Sequence, residues 1–179
     1  MEVIDNFLPR EEFLKFQNVI MGGQFPWFFQ DYTLSPTRSG WNGHEKFSED
    51  NDTFQFTHMM FKPNRGVISP EAYNICVPIL NKLGLHNLLI RLKANLNPRQ
   101  NDHQILGAFH VDVPYPNTNT AIFYCNTNNG YTEFKDGEKV LSVANRMVIF
   151  DSKTMHVGYT CTDAKSRVVL NINYLPSKY

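Results

Sequence analysis

The spacing of hydrophobic positions changes part-way along the chain. After a short strand-like "EVIDNF", residues Phe13, Phe16 and Ile20, with Val19 beside them, recur at the spacing of one helix face. Pro9, Glu11 and Glu12 suit the start of that helix, where surplus N–H groups and the positive dipole end accommodate proline and acids. Gly22-Gly23 stops it. A second helical stretch, "SPEAYNICVPILNKLG", opens on Ser69 as N-cap with Pro70 in its first turn and closes at Gly84. Pro78 inside it predicts a kink or a break, because proline removes a backbone donor and clashes with the preceding turn. Between the helices lie the polar "RSGWNGHEKFSEDND" (Arg38 to Asp52) and a strand-like "TFQFTHMMF".

From Asn87 onward short β-type runs take over: "NLLIRLKANL", "ILGAFHVDV", "NTAIFYCN", "GYTEFK", "KVLSV", "RMVIFD", "MHVGYT" and "RVVLNINYL". Asn, Gly, Pro and Asp punctuate them, as turns require. Such a series predicts a sandwich, jelly roll or barrel. In "SRVVLNINYL", Val168, Leu170, Ile172 and Tyr174 form an ordinary core face, while Arg167, Val169, Asn171 and Asn173 form an oddly polar one. That second face either meets water or lines a cavity. The reading is one domain over 1–179, mainly β with flanking helices (α+β). Residues 1–86 give helical and strand support, and 87–175 form the β-core.

Composition narrows the function classes. Lys+Arg and Asp+Glu number 17 each, so no net basic field is available to hold nucleic acid or an anionic membrane. The three cysteines, Cys76, Cys125 and Cys161, show no CxxC spacing and read as reduced, buried thiols. The N-terminus carries acids early and no apolar h-region, and no run approaches a membrane span. A cytoplasmic location is expected.

Candidate chemistry centres on "GAFHVDV". His110 and Asp112 share one face of a strand, with Cα atoms roughly 6.6 Å apart at about 3.3 Å per residue. They either face water or form two corners of a metal site. His156, after the apolar run Met147 to Phe150 and a short polar turn, could supply a second imidazole. Two His and one carboxylate on one side of an ion form the facial set of non-heme Fe(II) oxygenases, with positions left open. Arg167, eleven positions after His156 (167 − 156 = 11), would then offer a two-pronged donor to a carboxylate.

On these residues the second half of the chain, about 87 to 175, resembles the 2-oxoglutarate/Fe(II)-dependent dioxygenases, most closely the prolyl 4-hydroxylase-like branch. "TAIFYCNTNNGYTEF" is similar to that family's tyrosine-bearing strand, Gly-rich turn and Thr-x-Phe strand, with Tyr124, Gly130, Thr132 and Phe134 at the matching positions. "SVANRMVIFDSKTMHVGYT" resembles the strand delivering the distal His, with Asn145-Arg146 replacing a glycine often found there. "VIDNFLPREEFLKF" resembles the N-terminal entry of small members, including ones encoded by phages of aquatic bacteria, in which case the location is the host cytoplasm.

The resemblance implies a double-stranded β-helix (jelly-roll, cupin-like) core. It also implies Fe(II) on His110, Asp112 and His156, and 2-oxoglutarate held at its far carboxylate by Arg167 and Tyr124. Asn95 and Asn97 are candidates for a second polar co-substrate contact, where a tyrosine is more usual. Asn173 is another candidate, at the position where AlkB-type nucleic-acid demethylases carry a second arginine. O2 is the oxidant, succinate and CO2 are products, and ascorbate is a further candidate cofactor. A peptidyl side chain, prolyl or other, is the favoured substrate, a free small molecule is the alternative, and nucleic acid is disfavoured.

A rival reading is a non-catalytic, cupin-like metal-binding module. "RSGWNGHEKFSEDND" and "VPYPNTN" are either substrate loops or plain surface loops. His58, in "FTHMMF", reads as a hydrogen-bonded core residue; His44, His86 and His103 read as solvated. Trp27 and Trp41 could line a groove, though Trp27 in "FPWFF" suits the core.

Overall fold

A computed structural model of the chain describes residues 1–31, 33, 54–85, 88–113 and 115–176. Trp41, His44, His86 and the Arg38–Asp52 stretch lie outside them. The strands are β1 (Glu2–Ile4), β2 (Phe28–Gln30), β3 (Gln55–Lys62), β4 (Gly66–Val67), β5 (Leu89–Pro98), β6 (Asn119–Tyr124), β7 (Tyr131–Phe134), β8 (Lys139–Leu141), β9 (Arg146–Asp151), β10 (His156–Gly158) and β11 (Ser166–Tyr174). The major sheet runs β1-β9-β6-β11-β5-β3-β2, with β4 paired to β3, and faces a small β10-β7-β8 sheet. Every named pair is antiparallel. The molecule is a jelly-roll sandwich with flanking helices.

The helices are α1 (Arg10–Ile20), α2 (Pro70–Asn74) and α3 (Val77–Lys82). Phe13, Phe16 and Ile20 of α1 are buried as their spacing predicts, while Val19 faces solvent. Phe7, Phe13 and Phe16 all meet the ring of Phe123 edge-on, with centroids 5.6–6.0 Å apart. That contact fastens the N-terminal segment to β6. The second helical stretch breaks, and Pro78 falls in the first turn of α3, where its missing N–H costs nothing. Ser69 stands at the N-cap without a side-chain capping bond.

The division at residue 86 is not a division of layers: β1 pairs with β9, and β3 pairs with β5, so N-terminal strands extend the major sheet on both sides. Asn145, at φ 64°, occupies the left-handed conformation a glycine would take there. Its side chain accepts from Leu8 N–H and donates to the Leu8 carbonyl, both at 2.8 Å, which fixes the entry to α1 on the start of β9.

The major sheet has two unlike faces. Ala121, Phe123, Met147, Val168, Leu170, Ile172, Leu92 and Ala94 join α1, α2 and α3 in the main core. On the opposite face Ile122, Tyr124, Val148, Phe150 and Val169 meet Phe134 and Val140 of the small sheet in a second core. Toward β5 and β3 this inner face turns polar and lines a cavity of about 710 Å³. Arg167, Asn171 and Asn173 of β11 all lie on that side, buried. The polar face of β11 therefore belongs to the interior.

One expected strand is absent. "ILGAFHVDV" forms isolated bridges, Ile105 with Tyr159 and His110 with His156, instead of a strand. Gly107 at φ 89° interrupts the extended run, and its partner β10 is three residues long.

Candidate metal centre

The backbone places the two imidazoles opposite each other. His110 N–H donates to the His156 carbonyl at 3.0 Å, and His156 N–H returns a bond to His110 at 3.1 Å. Residues paired in this way have Cα atoms about 5.5 Å apart, and the rings lie 4.7 Å apart by centroid. Asp112, two residues on, falls on the same side. Donor atoms of His110, Asp112 and His156 all lie within 4.8 Å of one another, and His156 Nε2 stands 3.7 Å from Asp112 Oδ2.

Each ring is set in the form an ion needs. Nδ1 of His110 lies 2.9 Å from the Ala108 carbonyl, and Nδ1 of His156 lies 3.0 Å from the Thr154 carbonyl. A carbonyl only accepts, so Nδ1 of each ring carries a proton, which leaves Nε2 as the atom that can meet an ion. Burial, reinforced by His156, pushes His110 down to about 4, so it is neutral at physiological pH. Burial opposes the charge of Asp112, but Arg91, His156 and His110 together outweigh it and hold its carboxyl well below the usual range. Two imidazoles and a carboxylate fit a divalent first-row metal, and Fe(II) in particular when positions stay open.

Arg91 went unremarked in the sequence and proves central. Its Nη2 donates to Asp112 Oδ1 at 2.6 Å, and its Nε donates to Asn173 Oδ1 at 2.7 Å. Asn171 and Asn173 also donate to Asp112, at 3.3 Å, and Asn173 reaches Thr120 at 2.9 Å. Oδ1 is thereby occupied by the arginine, while Oδ2 is turned toward His156. Asn173 thus belongs to Asp112 and not to the Arg167 end.

That other end holds Arg167, only 3% exposed. Its Nε donates to Ser142 Oγ at 2.9 Å and its Nη2 to Thr132 Oγ1 at 3.1 Å. No carboxylate pairs with it among the described residues. Glycine is required beside it: a Cβ on Gly130 would stand 2.8 Å from Arg167 Cδ and 2.9 Å from the Tyr159 carbonyl. Tyr124 is fully buried, its hydroxyl donating to Thr132 at 2.9 Å. Thr132, not Tyr124, lines the cavity. Asn97 pairs in register with Arg167 and is 2% exposed, yet its Nδ2 has no partner; Asn95 Oδ1 is likewise unpartnered. Both residues line the cavity.

His58 is a core residue, with Nδ1 2.6 Å from the Pro26 carbonyl and its ring against Phe25 and Phe28. His103 Nδ1 sits 2.8 Å from the Thr160 carbonyl. Trp27 packs on Phe25, and all three cysteines are buried.

The same architecture recurs in solved structures. A prolyl hydroxylase from Trichoplax adhaerens, in complex with a hypoxia inducible factor peptide fragment, superposes with TM-score 0.55 at 18% identity, over 97% of this chain and 82% of that one. The non-heme alpha ketoglutarate dependent epimerase SnoN from nogalamycin biosynthesis gives 0.60 at 11%, over 97% and 76%. HygX from Streptomyces hygroscopicus, with nickel and 2-oxoglutarate bound, gives 0.54 at 10%, over 99% and 83%. The fold is that of the 2-oxoglutarate-dependent oxygenases. No family model matches the sequence, and no curated protein does.

Proposed function

We propose that this protein is an Fe(II)- and 2-oxoglutarate-dependent dioxygenase that hydroxylates an organic substrate. The observation that carries the reading is Arg167. A buried guanidinium without a carboxylate is costly, and this one borders a cavity that also contains two imidazoles and an acid gathered for a metal. A diacid whose near end meets the ion and whose far end meets Arg167 accounts for both. Arg167 and Asn171 lie four residues apart on one strand, about 13 Å, a gap that the arginine side chain and a five-carbon diacid together span.

Each residue then has a task. His110, Asp112 and His156 would hold Fe(II), which when bound supplies the coupling of O2 activation to conversion of 2-oxoglutarate into succinate and CO2. Arg91 orients Asp112 so that one oxygen faces the ion, leaving positions open. Arg167 and Thr132 bind the far carboxylate, and Tyr124 holds the Thr132 hydroxyl in place. Asn97 Nδ2, unpartnered and next to Arg167, is a donor for the same carboxylate. The inner core of Ile122, Val169 and Phe134 keeps bulk water from that end.

We favour a peptidyl side chain as substrate, supported by the solved relative that holds a peptide. The test is anaerobic addition of Fe(II) and 2-oxoglutarate, which is expected to give a weak visible charge-transfer band, followed by succinate on admitting air. Arg167→Gln is expected to raise the 2-oxoglutarate requirement at least tenfold while Mn(II) binding persists. Neither band nor succinate would leave the metal-binding module as the better account.

A further inference from the structure

The Arg167 end of the cavity is built mostly from pinned parts. Arg167 spends Nε on Ser142 Oγ and Nη2 on Thr132 Oγ1. Thr132 Oγ1 also takes the Tyr124 hydroxyl, and Thr132 stands opposite Gly158 on the β7–β10 ladder. Gly130 packs against the arginine stem.

One wall differs. Leu106 is buried and lines this cavity, yet it belongs to a stretch that lies outside every named strand. Its N–H donates to the Gly158 carbonyl at 2.8 Å, beside the Ile105–Tyr159 bridge, and Gly107 at φ 89° turns the chain immediately after it. The leucine side chain therefore sits over Gly158. A Cβ on that glycine would stand 3.2 Å from Leu106 Cδ1 and 3.4 Å from Arg167 Nη1. The methyl group and the guanidinium nitrogen thus border the same space, at most 6.6 Å apart (3.2 + 3.4). Nη1 is also the nitrogen that neither Ser142 nor Thr132 engages. An oxygen bonded to it sits about 2.9 Å away, and a methyl group touching that oxygen lies about 3.5 Å farther on. Those two lengths fill the gap.

We propose that Leu106 sets the length of the 2-oxo diacid this centre accepts: its methyl groups close the Arg167 end against the far carboxylate and exclude a chain one methylene longer. That assignment rests on the dioxygenase reading and deepens its co-substrate site. The near end of the diacid is fixed where His110, Asp112 and His156 gather their donor atoms within 4.8 Å. An added methylene therefore has to be absorbed at the Arg167 end. There the backbones of β7, β10 and β11 and the pinned arginine do not yield. The leucine side chain, resting on a residue that has none, is the group whose removal makes room. Rejecting one methylene in a fitted apolar pocket is worth roughly 10–200-fold.

The experiment uses the whole chain loaded with Mn(II) under nitrogen. 2-Oxoglutarate and 2-oxoadipate, one methylene longer, are titrated separately by calorimetry into wild type, Leu106→Ala and Leu106→Met. Wild type is expected to favour 2-oxoglutarate at least tenfold. Leu106→Ala, which keeps the backbone bond to Gly158, is expected to cut that preference to threefold or less, chiefly by tightening 2-oxoadipate. Its Mn(II) affinity is expected within twofold of wild type. Leu106→Met, of similar volume, is expected to retain the preference. A purely structural role would lower both affinities together and leave their ratio alone. If Leu106→Ala does not fold, Leu106→Val carries the same test, with a smaller shift in the same direction. An unchanged ratio in the truncated protein, or no preference in wild type, would overturn the proposal. Failure of the dioxygenase reading looks different: wild type then binds neither diacid and gives no charge-transfer band with Fe(II).

Discussion

Replacing Arg91 with glutamine separates holding the fold from shaping the metal site. The guanidinium donates to Asp112 Oδ1 at 2.6 Å from a side chain 17% exposed, while its Nε is tied to Asn173. Glutamine cannot span both contacts. A hydrogen bond between charged groups is worth about 1.5–3 kcal/mol net, and a cation so close also repels a divalent ion sharing the carboxylate. Without Arg91, Asp112 Oδ1 keeps only the 3.3 Å bond from Asn171 and would become more available to a metal. If the released bond energy is returned to the ion, Mn(II) binds roughly ten- to a hundredfold more tightly. The metal-free protein moves the other way, because Asp112 stays buried with one fewer cation beside it, and its Tm falls. Under the proposed function turnover is expected to fall too, since Arg91 is what holds Asp112 Oδ1 away from the ion that His110, Asp112 and His156 would bind. The assay is a Mn(II) titration followed by electron paramagnetic resonance, beside melting curves with and without metal. Arg91→Lys, which keeps the charge, is expected to stay near wild-type metal affinity. Weaker Mn(II) binding in Arg91→Gln would refute this reasoning and leave Arg91 as a brace for the ligand set.

Three further outcomes are expected. His110 is held down to about 4 by burial, so between that value and its ordinary 6.5 the unfolded chain binds a proton the folded one refuses. Metal-free stability should therefore fall, by up to about 3 kcal/mol, as pH drops from 6.5 to 4; urea unfolding across that range checks it, with His110→Gln flattening the slope. Gly130→Ala drives a methyl group into Arg167 and the Tyr159 carbonyl; it should raise the 2-oxoglutarate KM at least tenfold while Mn(II) affinity stays within twofold. Thr132→Val should weaken 2-oxoglutarate more than Tyr124→Phe does, because the Tyr124 hydroxyl stands behind Thr132; a larger effect from Tyr124→Phe in matched KM measurements would reverse that order.

Much of the site could be read from residue types and spacing. His110 and Asp112, two residues apart, and His156 on the short return do converge, and the polar stripe of β11, which the sequence left either in water or in a cavity, lies in the interior. The same stripe on β5, Arg91-Lys93-Asn95-Asn97, carried equal information, but an arginine within "NLLIRLKANL" looks like an ordinary exposed strand residue until its neighbours are known. Nothing in the local sequence tells which asparagine stands beside which arginine, since the two pairs join residues 70 and 82 positions apart (167 − 97 and 173 − 91). The missing HxD strand shows the limit of pattern: "ILGAFHVDV" has the right composition, but its partner β10 is too short to complete a ladder. Asn145 fills the backbone role of a glycine and adds two hydrogen bonds to Leu8, a long-range bond pattern that no windowed reading of the sequence contains.

The mutual pairing of His110 and His156 has a consequence for how the centre is assembled. The stretch bearing two of the three donors is docked on β10 by that rung and by Leu106 N–H to the Gly158 carbonyl at 2.8 Å, with the Ile105–Tyr159 bridge beside it, instead of being woven into a sheet. An ion spanning both imidazoles would act as an added crosslink across the rung, so uptake of metal and seating of this stretch become one event. Slowed amide exchange at His110 on metallation, with the sandwich unchanged, is the signature of such a clasp.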